Sequence, residues 1–276
     1  MLVTALVALN YLERKGEAAR VTESSRKYLS TISPDYFGFI IKHMSNILPN
    51  WVNLSQAVAT GQMVAVNATL TTDYESEREA FLMGMFNTAR QQADRVAEAL
   101  ELSGRKRLLD LGGGPGTYAV HFCLRYPELS AVVFDQPTTE KFARAVFKRF
   151  NLEQRVDFIG GDFLNSDLPG GFDVAWLSQV LHGEGPADAA RLVKRGAESL
   201  NRGGLLGIQE FIIDDDRSGP AQSALFSLNM LVQTPGGQSY TQSEIAAMMT
   251  AAGLRDIKRL EAQLPPGCGV MVGLKD

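Results

Sequence analysis

The chain has 276 residues, of which 45% are hydrophobic and 21% charged, as expected for a soluble globular protein with a substantial core. A net charge of −4 argues against broad attraction to nucleic acid or anionic membranes, so a small molecule is the better candidate ligand. Two cysteines cannot form a secreted disulfide framework, and they favour a cytoplasmic protein.

The N-terminal segment has apolar residues at helical spacing from Leu2 to Leu12, which predicts a first helix with a glycine stop at Gly16. It lacks the basic segment and cleavage site of a signal peptide, and charged residues follow too early for a membrane span. No earlier element of the chain can cover this helix. We therefore expect either a second subunit over it or a missing N-terminal piece.

The periodicity of the apolar residues divides the chain into two regions. Residues 1–102 carry helical spacing and predict an all-helical region, with helices over 34–48, 51–60 and 75–102. Residues 103–276 alternate short β-branched or leucine-rich runs with helical stretches, which predicts an α/β domain of βαβ units. Its last two strands are too close in sequence for a helix between them, so we expect them to pair antiparallel. The predicted strands are 107–111, 131–134, 156–159, 174–177, 204–211, 256–260 and 270–274, and the predicted helices are 117–126, 138–150, 187–200, 221–232 and 242–252.

A glycine-rich turn follows the first of these strands, in Asp110-Leu-Gly112-Gly-Gly114-Pro-Gly116. Its backbone N–H groups and the next helix start can face a ligand that comes close. A dinucleotide-binding turn would need a glycine where Thr117 stands. An acid ahead of the glycines would repel a pyrophosphate but suits the cationic methionine end of S-adenosyl-L-methionine. The turn therefore favours that cofactor over NAD, and the alternative is that Asp110 only caps the turn.

Two further acids end the next two predicted strands. Asp135 can accept hydrogen bonds from both ribose hydroxyls, a role that NAD enzymes share. Asp162 can accept one from the adenine amino group, and the ring of Phe163 can cover the base. Three strand-end acids in succession argue against chance and predict a nucleoside site.

These residues resemble the class I S-adenosylmethionine-dependent methyltransferases, and more closely the O-methyltransferase family of caffeate-type, acetylserotonin and bacterial tailoring enzymes. The resemblance covers nearly the whole chain. It implies a Rossmann-like seven-stranded methyltransferase sheet over residues 103–276, behind an N-terminal helical, partly winged-helix-like region over residues 1–102. It also implies that Gly112 and Gly114 hold the methionine part of the cofactor, with ribose at Asp135. The motifs are DLGGGPG at 110–116, VVFDQP at 132–137, GDF at 161–163, VLH at 180–182, TPGG at 234–237 and YTQSE at 240–244.

The resemblance further implies that Asp162 and Phe163 lie at the adenine. It places Phe81 and Met85 on a helix that lines the cofactor and acceptor cleft, and the alternative for both is core packing. Residues 2–28 resemble the end of the winged-helix-like region without the dimer-forming helices that normally precede it. The apolar first helix still predicts a homodimer in which a second copy covers it.

The candidate catalytic base is His182, which follows the strand over 174–177 at the end where ligand sites of α/β sheets gather. A neutral imidazole can take a proton from a hydroxyl as its oxygen attacks a methyl group. The family's catalytic histidine aligns with His182, and Glu210 matches an acid that the family uses beside it. The alternative is a loop histidine that closes a turn. We expect His43 and His121 to be surface or core residues of helices.

Three positions depart from the family pattern. Gly183-Glu184 follow the histidine in place of Asp-Trp, Ser239 replaces a second glutamate of plant members, and Ser178 replaces a lysine near the cofactor. These changes are compatible with a different acceptor, or with a cofactor-binding relative that has lost or altered methyl transfer.

The sequence as a whole predicts transfer of a methyl group from S-adenosylmethionine to a hydroxyl of a small aromatic or polycyclic acceptor, with His182 as base and Glu210 as its support. One alternative is an enzyme of the same fold that methylates carbon. Another is a cofactor-binding regulator that touches DNA. We predict no metal site, because no histidines are paired at ligand spacing and the two cysteines are far apart.

Overall fold

The structure is a computed structural model that describes residues 1–64 and 74–276. Its N-terminal region consists of helices and one short β-hairpin, and α5 is its longest element. The elements are α1 (Leu2–Ala8), β1 (Leu12–Lys15), β2 (Ala18–Val21), α2 (Glu23–Leu29), α3 (Gly38–Trp51), α4 (Leu54–Thr60) and α5 (Tyr74–Ala99).

The hairpin of β1 and β2 corrects the sequence prediction for this part of the chain. The first helix ends at Ala8 and not at Gly16, which has a φ of 64° and lies in the hairpin turn. The expectation of an all-helical first hundred residues is therefore wrong. Both strands are almost wholly exposed, so their sequences carry no alternation of buried and exposed residues that could predict them. A hairpin at this place agrees with the winged-helix-like resemblance.

Helix α5 lies between the N-terminal helices and the sheet. It crosses α3 closely at Gly84, where a side chain would come within 3.1 Å of the Ile40 Cα atom. Its other side contributes Phe86 and Val96 to the core. Residues of α5 can therefore reach both the N-terminal helices and the edge of the sheet.

The remaining residues form one seven-stranded sheet in the order β5-β4-β3-β6-β7-β9-β8. Neighbours from β5 to β7 are parallel. The last two strands, β8 and β9, pair antiparallel as predicted, and β9 also pairs antiparallel with β7. The predicted α/β class and its seven strands are confirmed. The strands are β3 (Arg107–Leu111), β4 (Ser130–Asp135), β5 (Val156–Gly160), β6 (Phe172–Ser178), β7 (Leu200–Phe211), β8 (Leu254–Arg259) and β9 (Cys268–Lys275), and the helices are α6 (Thr117–Arg125), α7 (Glu140–Arg149), α8 (Pro186–Ser199), α9 (Ala221–Gln233) and α10 (Gln242–Ala251).

Apolar side chains cover both faces of this sheet. Helices α5, α6 and α7 enclose one face around Trp176 and Phe122, and α8 and α10 enclose the other around Leu177 and Leu192. Because the central strands are buried on both sides, a ligand can reach them only at their ends. The C-terminal ends of β3, β4, β6 and β7 carry the polar residues singled out by the sequence.

Within the described residues, none of the helices has the length and apolar character needed to cross a membrane.

Candidate active site

The glycine-rich turn connects β3 to α6 and leaves open space above it. Gly112 and Gly114 have φ values of 70° and 55°, a region that favours glycine. The Gly112 N–H donates to the Phe134 carbonyl oxygen at 2.8 Å and ties the turn to β4. Within 4 Å, a side chain at Gly114 would meet Leu82 alone among the described residues, at 3.9 Å. The turn therefore presents its backbone to a space beside α5.

Asp110 lies underneath this turn and has no solvent exposure. A Cβ atom at Gly113 would come within 2.5 Å of the Asp110 carboxyl carbon, so only glycine allows this approach. The Oδ2 atom accepts a hydrogen bond from the Ala119 N–H at 3.2 Å, and Oδ1 has no partner among the described residues. Burial raises the pKa of Asp110 to about 7, and the charge of Asp135 adds to this. The contact with Ala119 is the capping geometry of the alternative interpretation, and a direct cofactor role stays a prediction.

Asp135 is the last residue of β4 and is held by three protein donors. Its Oδ2 accepts the Gly114 N–H at 2.8 Å, and its Oδ1 accepts the Gln136 N–H at 2.7 Å and the Thr139 hydroxyl at 3.0 Å. A carboxylate has about four acceptor directions, so roughly one remains, on Oδ2. This geometry offers one well-aligned acceptor to a ligand hydroxyl beside the glycine turn, where the sequence argument expected two.

Asp162 and Phe163 follow β5, at the side of the turn away from β6. The exposed Asp162 carboxylate accepts the Leu164 N–H at 2.8 Å and the Asn165 amide at 2.7 Å, and these bonds lower its pKa. Phe163 is half-buried against the core under α8. The adenine contacts expected of both residues stay predictions.

His182 and Glu210 form a close pair at the ends of β6 and β7. The His182 Nδ1 atom lies 2.7 Å from Glu210 Oε2, and Glu210 Oε1 accepts the N–H groups of Leu181 at 2.8 Å and His182 at 3.3 Å. The Glu210 side chain is 1% exposed and that of His182 is 14% exposed. Because a carboxylate accepts, the neutral imidazole carries its proton on Nδ1, which leaves the Nε2 lone pair available as a base.

Aromatic rings and the loop after α9 hold the His182 turn from its other sides. The ring of Phe226 stands edge-on to the imidazole at 4.7 Å and packs on Phe211 at 4.1 Å. The Gln238 N–H donates to the His182 carbonyl oxygen at 2.9 Å, and the Tyr240 hydroxyl donates to that of Glu184 at 2.6 Å. The imidazole is thus fixed by a carboxylate and an aromatic edge. The sequence argument missed Phe226, because it is one apolar residue among several in α9.

The departures from the family pattern lie around this turn. Ser239 is buried, and its hydroxyl donates to the Ser223 carbonyl oxygen of α9 at 2.8 Å, so it binds the helix and not the histidine. The Ser178 hydroxyl lies 3.4 Å from Gln209 Oε1 at the end of the paired strands. Glu210 alone supplies the carboxylate beside His182 among the described residues.

Phe81 lies on the α3 side of α5, and Met85 lies one helical turn further along α5. Phe81 is 45% exposed and stands edge-on to His43 at 5.2 Å, and Met85 is half-buried. Burial lowers the pKa of His43. The pocket roles of Phe81 and Met85 stay predictions. His121 is a buried core residue whose Nδ1 atom lies 2.6 Å from Asp94.

In the ranges that the structure describes, no group of three or more His, Cys, Asp or Glu side chains is arranged to hold a metal ion.

A sequence model of the O-methyltransferase domain matches residues 51–255. The chain belongs to the O-methyltransferase family. It is 32% identical over 279 aligned residues to the 3-hydroxy-5-methyl-1-naphthoate 3-O-methyltransferase of Streptomyces sahachiroi, which covers 100% of this chain and 81% of that protein. It is also 32% identical over 259 residues to the tetracenomycin polyketide synthesis 8-O-methyl transferase of Streptomyces glaucescens, with 92% and 76% covered.

A solved relative confirms the fold and the cofactor. Human N-acetylserotonin methyltransferase in complex with S-adenosylmethionine has a TM-score of 0.84 and 30% identity to this chain, over 99% of this chain and 81% of the human one. The protein is an S-adenosylmethionine-dependent O-methyltransferase. These comparisons support transfer to oxygen and neither of the alternatives, carbon methylation and a cofactor-binding regulator.

The residues at this edge fit that cofactor. Open space lies above Gly114, and Asp135 keeps an acceptor direction for a hydroxyl beside it. The Asp135 carboxylate places negative charge beside the turn, which suits a sulfonium cation, and the unpartnered Asp110 oxygen lies below it.

The burial of Asp110 predicts a pH-dependent stability. Its pKa is 3.8 for an ordinary aspartate and about 7 in the fold, so the protonated form stabilises the protein at low pH. This stabilisation is lost as the pH rises through that interval, because the unfolded chain releases the proton first. Asp110→Asn cannot ionise. Relative to the parent, we expect its free energy of unfolding to rise by up to about 2 kcal/mol between about pH 5 and pH 7.

Urea unfolding of the cofactor-free parent and of Asp110→Asn across that pH range measures this gain. Parallel stability curves for the two proteins would show that Asp110 does not titrate within this window.

Proposed function

We propose that this enzyme methylates a phenolic hydroxyl of a planar, fused-ring aromatic acceptor, with His182 as general base. The observation that carries the proposal is the His182–Glu210 pair, which leaves one imidazole nitrogen available at the sheet edge that also bears the glycine turn. The relatives named above act on a hydroxynaphthoate and in tetracenomycin synthesis, both fused-ring systems. The aromatic side chains of Phe81, Phe211 and Phe226 offer surfaces on which such rings could stack.

The chain's part in the reaction is alignment and removal of one proton. S-adenosylmethionine supplies an activated methyl group on a sulfonium. Glu210 holds the imidazole by Nδ1, so that Nε2 accepts the hydroxyl proton as the acceptor oxygen becomes nucleophilic. The protonated imidazole is then stabilised by the buried Glu210 carboxylate at 2.7 Å.

The cofactor contacts follow the order of the strands. Gly112 and Gly114 of the turn would hold the methionine part, and Asp135 would accept a ribose hydroxyl through its remaining direction on Oδ2. Asp162 and Phe163 would lie at the adenine. Asp110 would support the turn from below, where its buried carboxyl group accepts the Ala119 N–H.

We also propose a division of the chain into regions, a cellular location and an oligomeric state. Residues 1–102 and 103–276 would act as a helical region and a cofactor-binding domain, with Phe81 and Met85 of the first region facing the acceptor. The enzyme would work in the cytoplasm, since its relatives are biosynthetic enzymes. A homodimer is favoured by α1, which has no buried residue in the single chain.

The base assignment predicts a selective loss in His182→Ala. Cofactor affinity should stay nearly unchanged, whereas transfer should slow about a hundredfold or more, the usual scale of general-base assistance. Glu210→Gln should also reduce the rate, because its amide has one acceptor oxygen where the two carboxylate oxygens accept three donors. The measurement is single-turnover transfer to a panel of hydroxynaphthoates, read as a mass gain of one methyl group.

The acceptor's own ionisation provides the control for this prediction. Acceptors already ionised at the assay pH need no base, so the loss should shrink for them. Equal rates of His182→Ala and parent on an acceptor of high pKa would contradict a base at His182.

The ribose assignment predicts that Asp135→Ala weakens cofactor binding by roughly 1 to 3 kcal/mol, through loss of a charge-assisted hydrogen bond. Calorimetry with S-adenosylmethionine and S-adenosylhomocysteine measures this, and NAD should not bind to either protein. A dissociation constant unchanged by Asp135→Ala would remove this residue from the ribose site.

The dimer proposal predicts that apolar side chains of α1 are covered in solution. Leu2 is 74% exposed and Leu9 64% exposed in the single chain, and exposed apolar patches mark interfaces. We expect the parent to sediment as a dimer and Leu2→Glu/Leu9→Glu as a monomer. Leu124→Glu, at an exposed leucine of α6, is the matched control and should leave the dimer intact. A monomeric parent would contradict the proposal.

A further inference from the structure

A chain of hydrogen bonds joins α5 to the end of β4. The Arg78 guanidinium Nη2 donates to Thr139 Oγ1 at 2.8 Å, and the Thr139 hydroxyl donates to Asp135 Oδ1 at 3.0 Å. A guanidinium has no acceptor, so the Thr139 oxygen accepts from Arg78 and its single proton goes to Asp135. The chain therefore has one direction, from the cation to the carboxylate.

Thr139 is the buried centre of this chain. It has no solvent exposure, and it ends the short helical turn Pro137–Thr139 that follows β4. Its backbone N–H donates to the Gln136 carbonyl oxygen at 2.8 Å, which closes the turn that carries the hydroxyl. The Thr139 hydroxyl therefore has no access to solvent, and a water molecule cannot easily take its place as a donor to Asp135.

The Thr139 hydroxyl sets the orientation of the Asp135 carboxylate. Without it, Oδ1 would keep, among the described donors, only the N–H of Gln136, its neighbour in the chain, at 2.7 Å. With it, three donors fix the plane of the carboxylate, and the remaining acceptor direction on Oδ2 is held beside Gly114. A pre-oriented acceptor loses less side-chain entropy when a hydroxyl binds to it.

We propose that Thr139 is a positioning residue for the ribose of the cofactor and that Arg78 anchors it. The proposal rests on the ribose role proposed above for Asp135. It places a residue of α5, outside the sheet, in control of cofactor affinity through two hydrogen bonds. Neither side chain takes part in proton removal, so the effect falls on cofactor binding and not on the chemical step.

The test uses the full chain and calorimetric binding of S-adenosylhomocysteine. Thr139→Val keeps the shape and removes the hydroxyl, and we expect its dissociation constant to rise about tenfold. Thr139→Ser restores the hydroxyl and should stay within about threefold of the parent. Thr138→Val, at the exposed neighbouring threonine, is the matched control and should bind as the parent does. Arg78→Met acts one bond further away and should raise the constant by about threefold.

Two further readouts separate positioning from a general effect on the fold. Thr139→Val should raise KM for the cofactor and leave kcat at saturating cofactor unchanged. In an Asp135→Asn background, the same substitution should change the dissociation constant by less than about twofold, because the group that it orients is already altered.

Unchanged binding by Thr139→Val, or an equal loss in the Asp135→Asn background, would overturn the proposal. If Thr139→Val does not fold, the dissociation constant of Arg78→Met, measured in the parent and in the Asp135→Asn background, tests the proposal instead. Failure of the ribose assignment itself is distinguishable, because Asp135→Ala would then bind the cofactor as the parent does, and the positioning role would fall with it.

Discussion

The arrangement of the candidate active site depends on one buried carboxylate, that of Glu210. A buried charge is tolerated only where donors surround it. In the part of the chain that the structure describes, its three donors come from one turn, as the N–H groups of Leu181 and His182 and the His182 imidazole. The turn cannot shift without leaving the charge unpaired. Glu210 therefore determines both the path of the chain after β6 and the plane of the imidazole.

Carboxylates at neighbouring strand ends hold the other loops of this edge in the same way. Asp110 accepts from the start of α6 below the glycine turn, and Asp135 accepts from the turn itself and from the segment after β4. The donors are mostly backbone groups, so the loops are fixed where their glycines allow close approach. The strand-end carboxylates thus fix the positions of these loops, and that of Asp135 also places negative charge where a cationic cofactor would bind.

The N-terminal region completes this edge through α5 directly and through α3, which holds α9. Helix α5 brings Leu82 over the glycine turn and Arg78 to Thr139. Helix α9, which carries Phe226 against His182, is held to α3 by the Trp51 indole N–H on Asn229 at 3.0 Å. The helical region therefore contacts the residues beside the proposed ribose site and, through α9, the proposed base. Its packing is part of the site and not only a support for it.

Strong local patterns were sufficient for the sheet, the glycine turn and the position of His182 after β6. Strands that are buried on both faces have continuous runs of apolar residues, and glycines and strand-end acids can be recognised individually in the sequence. The exposed hairpin of Leu12–Lys15 and Ala18–Val21 has no buried face, so its sequence carried no such pattern. The hydrogen bond of His182 with Glu210, 28 residues away, was anticipated only through the family resemblance. The Thr139 hydroxyl bonds and the Phe226 edge were decided by the tertiary structure alone. Arg78 and Thr139, like Phe226 and His182, are distant in the chain, and Thr139, although only four residues from Asp135, is of a type that occurs equally in ordinary helices and turns.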